Sequence, residues 1–195
     1  MRSRLFYAAL LIFVAQLESG CQVHARYVYS KPRLDGVSLF RIAENDRLVS
    51  ADIDLWLLSW NRQGSGLVIL PVPFPIDVSD SPSSPFKVTL ELKPKREGFS
   101  LNPGKVFLRK ADDEVLTVKI GSGSQTEGKV IAAGTKMQIP LQAGVSTVLA
   151  LEFDTNPPAP EDEFFLHIDG VSLHGSPYPI PRIRFAKGSW AGPLR

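Results

Sequence analysis

Phe86-Lys87-Val88-Thr89-Leu90-Glu91-Leu92 alternates apolar and polar side chains without a break. Phe86, Val88, Leu90 and Leu92 point one way and Lys87, Thr89 and Glu91 the other, the period of two of a half-buried β-strand. The same pattern recurs further along. Leu116, Val118 and Ile120 oppose Thr117 and Lys119, and Val145, Thr147, Leu149, Leu151 and Phe153 run with Ser146 opposite. Less regular strands are predicted around Val37 and Leu39, around Phe164, Leu166 and Ile168, and around Ile180, Ile183 and Phe185.

Turn chemistry separates these runs. Asn102-Pro103-Gly104, Gly121-Ser122-Gly123-Ser124, Gly134-Thr135, Asp154-Thr155-Asn156 and Gly175-Ser176-Pro177 all favour chain reversal. Short strands between Gly/Pro/Asn turns predict an all-β fold, an antiparallel β-sandwich that is immunoglobulin-like or related. The 16 prolines disfavour long helices.

Ser50 to Asn61 reads two ways. As a strand it turns Ile53, Leu55 and Leu57 inward, and Asp52, Asp54, Trp56 and Trp60 outward. As a helix it gathers Val49, Ile53, Trp56, Leu57 and Trp60 on one stripe, with Ser50 as cap, Asp52 and Asp54 in the first turn and Gly64 beyond the end. In the strand reading Trp56 and Trp60 share one outward face, about 13 Å apart by strand rise. They are the candidate ligand-facing aromatics.

Two segments are marked by proline. Val68 to Ile76 (VILPVPFPI) loses every second backbone donor over part of its length, which suits a sheet edge. Asn156 to Glu163 (NPPAPEDE) reads as a stiff acidic surface loop.

At the N-terminus, Met1-Arg2-Ser3-Arg4 is followed by an apolar stretch from Leu5 to Leu17, interrupted by Gln16. This is shorter than the roughly twenty residues needed to span a bilayer and fits the apolar region of an export signal. Two cuts are open. Val23-His24-Ala25 offers an ordinary signal-peptidase site after Ala25. Alternatively Ser19-Gly20-Cys21 resembles the end of a bacterial lipoprotein signal, although Glu18 stands where that pattern has an aliphatic residue. The resemblance covers residues 2–21. It implies that Cys21, the one cysteine of the chain, becomes the lipidated first residue and anchors the protein in a membrane. Gln22 in place of aspartate then implies the outer membrane, with a periplasmic or secreted protein as the alternative. The organisation that follows is a signal over 1–20 (1–25 for the other cut), an N-terminal tether over 21–35 and a single β-sandwich domain over 36–195.

Loss of residues 1–20 removes two of 22 basic residues and one of 20 acidic ones, so the remainder is close to neutral. That balance gives no electrostatic basis for binding nucleic acid. A single cysteine forms no intramolecular disulfide.

Catalytic signatures are sparse. His167 and Asp169 can share a strand face and orient a base, but no Gly-x-Ser-x-Gly or Ser-x-x-Lys motif supplies a nucleophile. His24 and His174 make no zinc spacing with them. Asp112-Asp113-Glu114 and the Asp77/Asp80 pair lack the ligand spacing of a calcium loop. Gly121 to Gly128 (GSGSQTEG) has no helix behind it to make a phosphate loop. No catalytic residue, metal or cofactor is expected. Lys93-Pro94-Lys95-Arg96 and the basic residues Arg182, Arg184, Lys187 and Arg195 could touch anionic lipid headgroups or be solvated charge. Trp190 is expected to tie down the tail. The reading is a non-enzymatic, exported, lipid-anchored interaction or accessory module of a bacterial envelope, its partner an unknown envelope protein or glycan. The alternatives are a carbohydrate-binding module using Trp56 and Trp60, and a secreted hydrolase of unrecognised type.

Overall fold

The computed structural model describes residues 22–35, 39–69, 74–80, 84–112, 114–120 and 138–193. The strands are, in order, β1 (Gln22–Leu34), β2 (Arg41–Ile42), β3 (Leu48–Val49), β4 (Ile53–Ser59), β5 (Gln63–Ile69), β6 (Phe74–Asp77), β7 (Phe86–Pro94) and β8 (Phe99–Leu101). They continue with β9 (Val106–Lys110), β10 (Val115–Ile120), β11 (Ile139–Leu141), β12 (Thr147–Phe153), β13 (Phe164–Ile168), β14 (Val171–Leu173), β15 (Ser176–Pro177) and β16 (Ile183–Pro193). Among the described residues, helical structure is confined to two 3-10 turns, Glu44–Asp46 and Pro103–Lys105. The fold is all-β and sandwich-like.

The chain divides into two compact units. The larger comprises Tyr29–Asn61 and Asp80–Gly188, and the smaller takes the chain up to Val28, Arg62–Ser79 and Ser189 onward. In the larger unit β7 is the strand that the opening alternation predicts. Its residues alternate between buried and less buried along its whole length. Antiparallel neighbours flank it, with Leu90 opposite Leu57 of β4 on one side and Leu149 of β12 on the other.

The large sheet runs β2-β3-β4-β7-β12-β10-β9-β13-β16-β1 within this unit. It curls at β10, which pairs with β9 through Val115, Leu116 and Thr117 and with β12 through Val118, Lys119 and Ile120. A second sheet of four strands, β11-β8-β14-β15, completes the unit.

Side chains from the inward faces fill the space between these layers. Phe86 and Phe153 meet across neighbouring strands at 6.3 Å between ring centroids. Phe86 meets Phe164 of β13 edge-on at 5.4 Å, and Phe164 stacks on Phe185 of β16 at 4.6 Å. All four rings are fully buried, together with Leu55, Leu90, Leu92, Leu101 and Leu108. Burying an aromatic or aliphatic side chain of this size contributes about 1.5–3 kcal/mol each relative to exposure.

Where β1 approaches the end of β4, polar side chains take over from a backbone ladder. The Ser30 N–H donates to Asn61 Oδ1 at 3.2 Å, and Ser59 Oγ donates to the Ser30 carbonyl at 2.6 Å. Asn61 Nδ2 donates to Ser30 Oγ at 2.7 Å and to the Pro158 carbonyl at 3.0 Å. Ser30, Ser59 and Asn61 are all buried, so these bonds satisfy groups that water does not reach.

In the smaller unit β1 pairs with β5 from Gln22↔Ile69 to Val28↔Gln63, and β5 pairs with β6 from Ser65↔Asp77 to Val68↔Phe74. Gly64 permits the close approach, since a Cβ there would meet the Arg26 carbonyl and Tyr27. Tyr27 stacks on Trp190 of β16 at 5.1 Å, and the Arg62 guanidinium lies 5.0 Å over the Tyr27 ring.

Several expectations change. Gln22–Leu34, within the stretch 21–35 expected as a tether, is a strand, paired with β5 from Gln22 to Val28. The strand expected around Leu39 is displaced: Leu39 is 69% exposed in a bend, and the short strand follows at Arg41–Ile42. Val145 and Ile180 lie just outside β12 and β16. Within Ser50–Asn61 the strand β4 (Ile53–Ser59) forms, in which Ile53, Leu55, Leu57 and Ser59 are buried. Ser50 begins it with a turn, its Oγ accepting from the Ile53 N–H at 3.0 Å, so the would-be helix cap serves a strand. Val37, the glycine-serine stretch from Gly121, Gly134-Thr135 and Asp113 lie outside the described residues.

Candidate functional site

Alternation along β4 sets the first surface. Because Ile53, Leu55 and Leu57 face the core, Asp54, Trp56 and Leu58 face outward, and Trp60 follows just past the strand end. Trp56 is half-buried, and its Nε1 donates to the Asn45 carbonyl at 3.1 Å. Trp60 is 45% exposed, and its Nε1 donates to Thr89 Oγ1 at 2.9 Å. Thr89 lies directly across from Leu58 on β7, so this bond tethers the indole toward the neighbouring strand. Both indole N–H groups are engaged within the protein. The remaining ring surface of Trp60 is what this side offers a partner.

Around these rings the polar groups are also engaged with one another. Glu91, opposite Trp56, accepts from Ser146 Oγ at 2.7 Å and lies 3.6 Å from Arg47. Lys87 pairs with Glu152 at 3.5 Å.

A second outward surface comes from β9, β13 and β16, and sequence reasoning did not assemble it. Val106, Leu108, Phe164, Leu166, Ile183 and Phe185 fill the inward slots. The outward slots hold Phe107 and Arg109, Phe165 and His167, and Arg184, with Arg182 just before the strand. Register sets Phe107 beside His167 and Arg109 beside Phe165. The Phe107 and His167 rings stack at 4.5 Å with planes 9° apart, and the Arg182 guanidinium lies 4.4 Å over the Phe165 ring.

Burial lowers the His167 pKa below its ordinary value, and the charges of Arg109 and Arg182 add to the effect. Asp169 opposes them without reversing the direction. His167 Nε2 has no hydrogen-bond partner among the described residues. Its surroundings therefore favour the neutral imidazole, and stacking positions the ring.

The basic clusters prominent in the sequence meet acids. Lys95 pairs with Asp54 at 2.8 Å and donates to the Ser50 carbonyl at 2.6 Å, while Arg96 pairs with Asp52 at 3.1 Å. Arg182 and Arg184 share Asp35 at 3.6 and 3.0 Å, and Arg184 also reaches Glu163 at 3.0 Å. Lys187 pairs with Glu161 at 2.9 Å, and that bond holds the Glu161 pKa below the usual carboxylate value. Each of these cations has a partner, which weakens the case for a free basic patch.

An open cleft of about 740 Å³ lies at the end of the β9–β10 hairpin, lined by Lys110, Asp112, Asn156, Glu161, Asp162 and Phe164 among others. Lys110 pairs with Glu114 at 2.7 Å beside it. In the smaller unit, Asp77 accepts from the Ser79 N–H at 2.9 Å, and hydrogen bonds from Ser79 hold its pKa below the usual value. Among the described residues, no group of three or more His, Cys, Asp or Glu side chains is placed to hold a metal ion.

Cys21 lies outside the described residues, and its neighbour Gln22, the first described residue, pairs with Ile69. No protein-family model, curated protein or solved structure matches the chain.

Proposed function

We propose that this chain is a non-enzymatic exported protein of a bacterial cell envelope. It is held at a membrane, by preference the outer one, through lipid on Cys21, and its β-sandwich serves as an interaction or accessory module. The observation that carries the reading is the start of β1. Gln22, Val23, His24 and Ala25 each pair with β5, and Ala25 is buried. A cut after Ala25 would strip these four residues from a formed ladder, whereas a cut before Cys21 leaves the whole strand intact and puts the lipid directly at its head. Two acyl chains supply stable anchoring where one is marginal.

Mass spectrometry of the N-terminal peptide from the envelope-purified protein tests it. A peptide beginning at lipid-modified Cys21 is expected. A free N-terminus at Arg26 would end the anchor.

A second reading, a carbohydrate-binding module, is favoured by one observation: Trp60 is half exposed and tethered by Thr89 on an outward sheet surface. Aromatic faces with one apolar side free are suited to stacking on sugar rings. Under this reading Trp60→Ala releases the protein from a glycan that retains the parent, and Trp56→Ala weakens retention less. Equal retention of all three removes the sugar.

A further inference from the structure

The smaller unit changes character along its length. Toward one end, the row containing Ser65 carries Arg26 and Asp77, both exposed. Toward the other, the row of Leu67 carries His24 and Pro75, and the next row sets Val68 beside Phe74. Leu67 is 42% and Phe74 45% exposed, two of the large apolar side chains that the fold leaves in contact with solvent. They fall in successive rows, where alternation turns neighbours to opposite faces. Each face of the ribbon near this end thus carries one exposed large apolar side chain, Leu67 beside exposed His24 on one and Phe74 on the other, and the charged row is set back.

That apolar end is also where the chain leaves toward Cys21. Gln22 is paired with Ile69, one row beyond Phe74's partner Val68 and two rows beyond Leu67. With a rise of about 3.4 Å per residue and strands about 4.8 Å apart, Phe74 and Leu67 lie within roughly 7 Å of the Gln22 row along the strand direction, Leu67 about 5 Å and Phe74 about 10 Å from β1 across it. The polar layer on each side of a bilayer core is about 5–7 Å thick.

We infer that the ribbon end formed by β1, β5 and β6 is a membrane-contacting surface in which Leu67 and Phe74 enter the headgroup layer beside the anchor. This deepens the lipid-anchor reading and rests on it for placement. With acyl chains attached at residue 21, directly before a paired strand, the slack of a flexible linker is missing. The first rows of the ribbon are held at the bilayer surface. Apolar side chains there lose contact with water, while Arg26, about 14 Å back from the Gln22 row along the strand, stays at the level of phosphates or above them. A solvated tether would have no reason to keep leucine and phenylalanine exposed at this place.

The test uses the mature chain from residue 21 with Cys21→Ser, so that no acyl chain takes part. Its binding to phosphatidylethanolamine/phosphatidylglycerol vesicles is read by co-sedimentation. The parent is expected to bind weakly and to keep most of its binding at about 0.5 M salt, where surface electrostatics is screened within a few ångströms. Leu67→Asp/Phe74→Asp should lower partitioning at least tenfold, Phe74→Leu should stay within twofold of the parent, and Val115→Asp, at an exposed apolar position of the larger unit, should have no effect. Melting curves of the variants guard against a folding defect. Should the aspartate pair melt early, Phe74→Ser alone takes its place, with an expected loss of about threefold.

No vesicle binding by the parent, complete loss in salt, or equal binding by the aspartate variant overturns the inference. The anchor itself is read separately by mass spectrometry of the natural N-terminus, so the failure of one is distinguishable from the failure of the other.

Discussion

Strand β13 carries two stacked aromatic pairs on its opposite faces. Phe164 stacks on Phe185 inward at 4.6 Å, and His167 stacks on Phe107 outward at 4.5 Å, with planes 9° apart in both. The geometries are nearly the same, but their surroundings are not. Phe164 and Phe185 have no accessible surface, whereas Phe107 and His167 are half-buried and sit among Arg109, Arg182 and Asp169. A stack contributes about 0.5–1.5 kcal/mol beyond burial wherever it forms. The remainder depends on how much water the ring displaces and on whether a cavity is left when it is removed. Inside, the pair is a structural element. Outside, it is a surface whose charge state matters.

The sharpest way to break this comparison is Phe164→Ala. It should cost about 3–5 kcal/mol in urea unfolding, because Phe86 and Phe185 both lose a neighbour in a sealed interior. A loss under about 1 kcal/mol would mean that the inner layers collapse around the gap and that the two faces are not so different. Next in size is Phe107→Ala, for which about 1–2 kcal/mol is expected, since the outward side readmits water in place of the ring. A double-mutant cycle between Phe107→Ala and His167→Ala isolates the stack itself. A coupling indistinguishable from zero would show that the parallel rings are only neighbours.

His167 sharpens the contrast through pH. Its folded pKa lies below the ordinary value of 6.5, so the unfolded chain takes up a proton more readily than the native one. This contribution to stability is complete above pH 6.5 and is lost as pH falls from there toward the folded pKa, below which it changes no further. His167→Phe should therefore flatten the drop in unfolding midpoint between about pH 7.5 and pH 5.5. If the variant and the parent lose stability in parallel over that window, other groups carry the acid sensitivity. The smallest effect is expected from Arg182→Ala. It removes the guanidinium from the Phe165 ring and from Asp35, and should change stability by about 0.5–1 kcal/mol.

What could be read in advance divides along the same line. The inward slots of β7, β12 and β13 are apolar at every second residue, and this alternation is visible in the sequence itself. β4 was ambiguous because Ile53 and Leu57 point inward under either period. The choice is made by β7, about thirty to forty residues away, whose ladder β4 joins from Ile53↔Pro94 to Ser59↔Val88. β1 escaped notice for a related reason. Its buried positions include Ser30 and Pro32, which look solvent-facing until Ser59 and Asn61 arrive to bond the serine backbone.

The outward surface of Phe107, His167 and Arg182 is created by register between segments some sixty residues apart. No local pattern encodes it. The pairing of charge was hidden for the same reason: Lys95 and Arg96 of the Lys-Pro-Lys-Arg run meet Asp54 and Asp52, and Arg182 and Arg184 of the basic C-terminal run meet Asp35. The Trp56 and Trp60 direction was legible, because strand alternation alone turns them away from the core.

Strand β10 hydrogen-bonds to β9 through its first half and to β12 through its second, so it joins the two limbs of the large sheet. Those limbs do not separate while β10 stays paired on both sides. Any force that lifts one limb from the other must first tear this shared strand, exposing Leu108, Val118 and Phe153 together. Loosening at β10 is thus passed at once to both limbs of the large sheet.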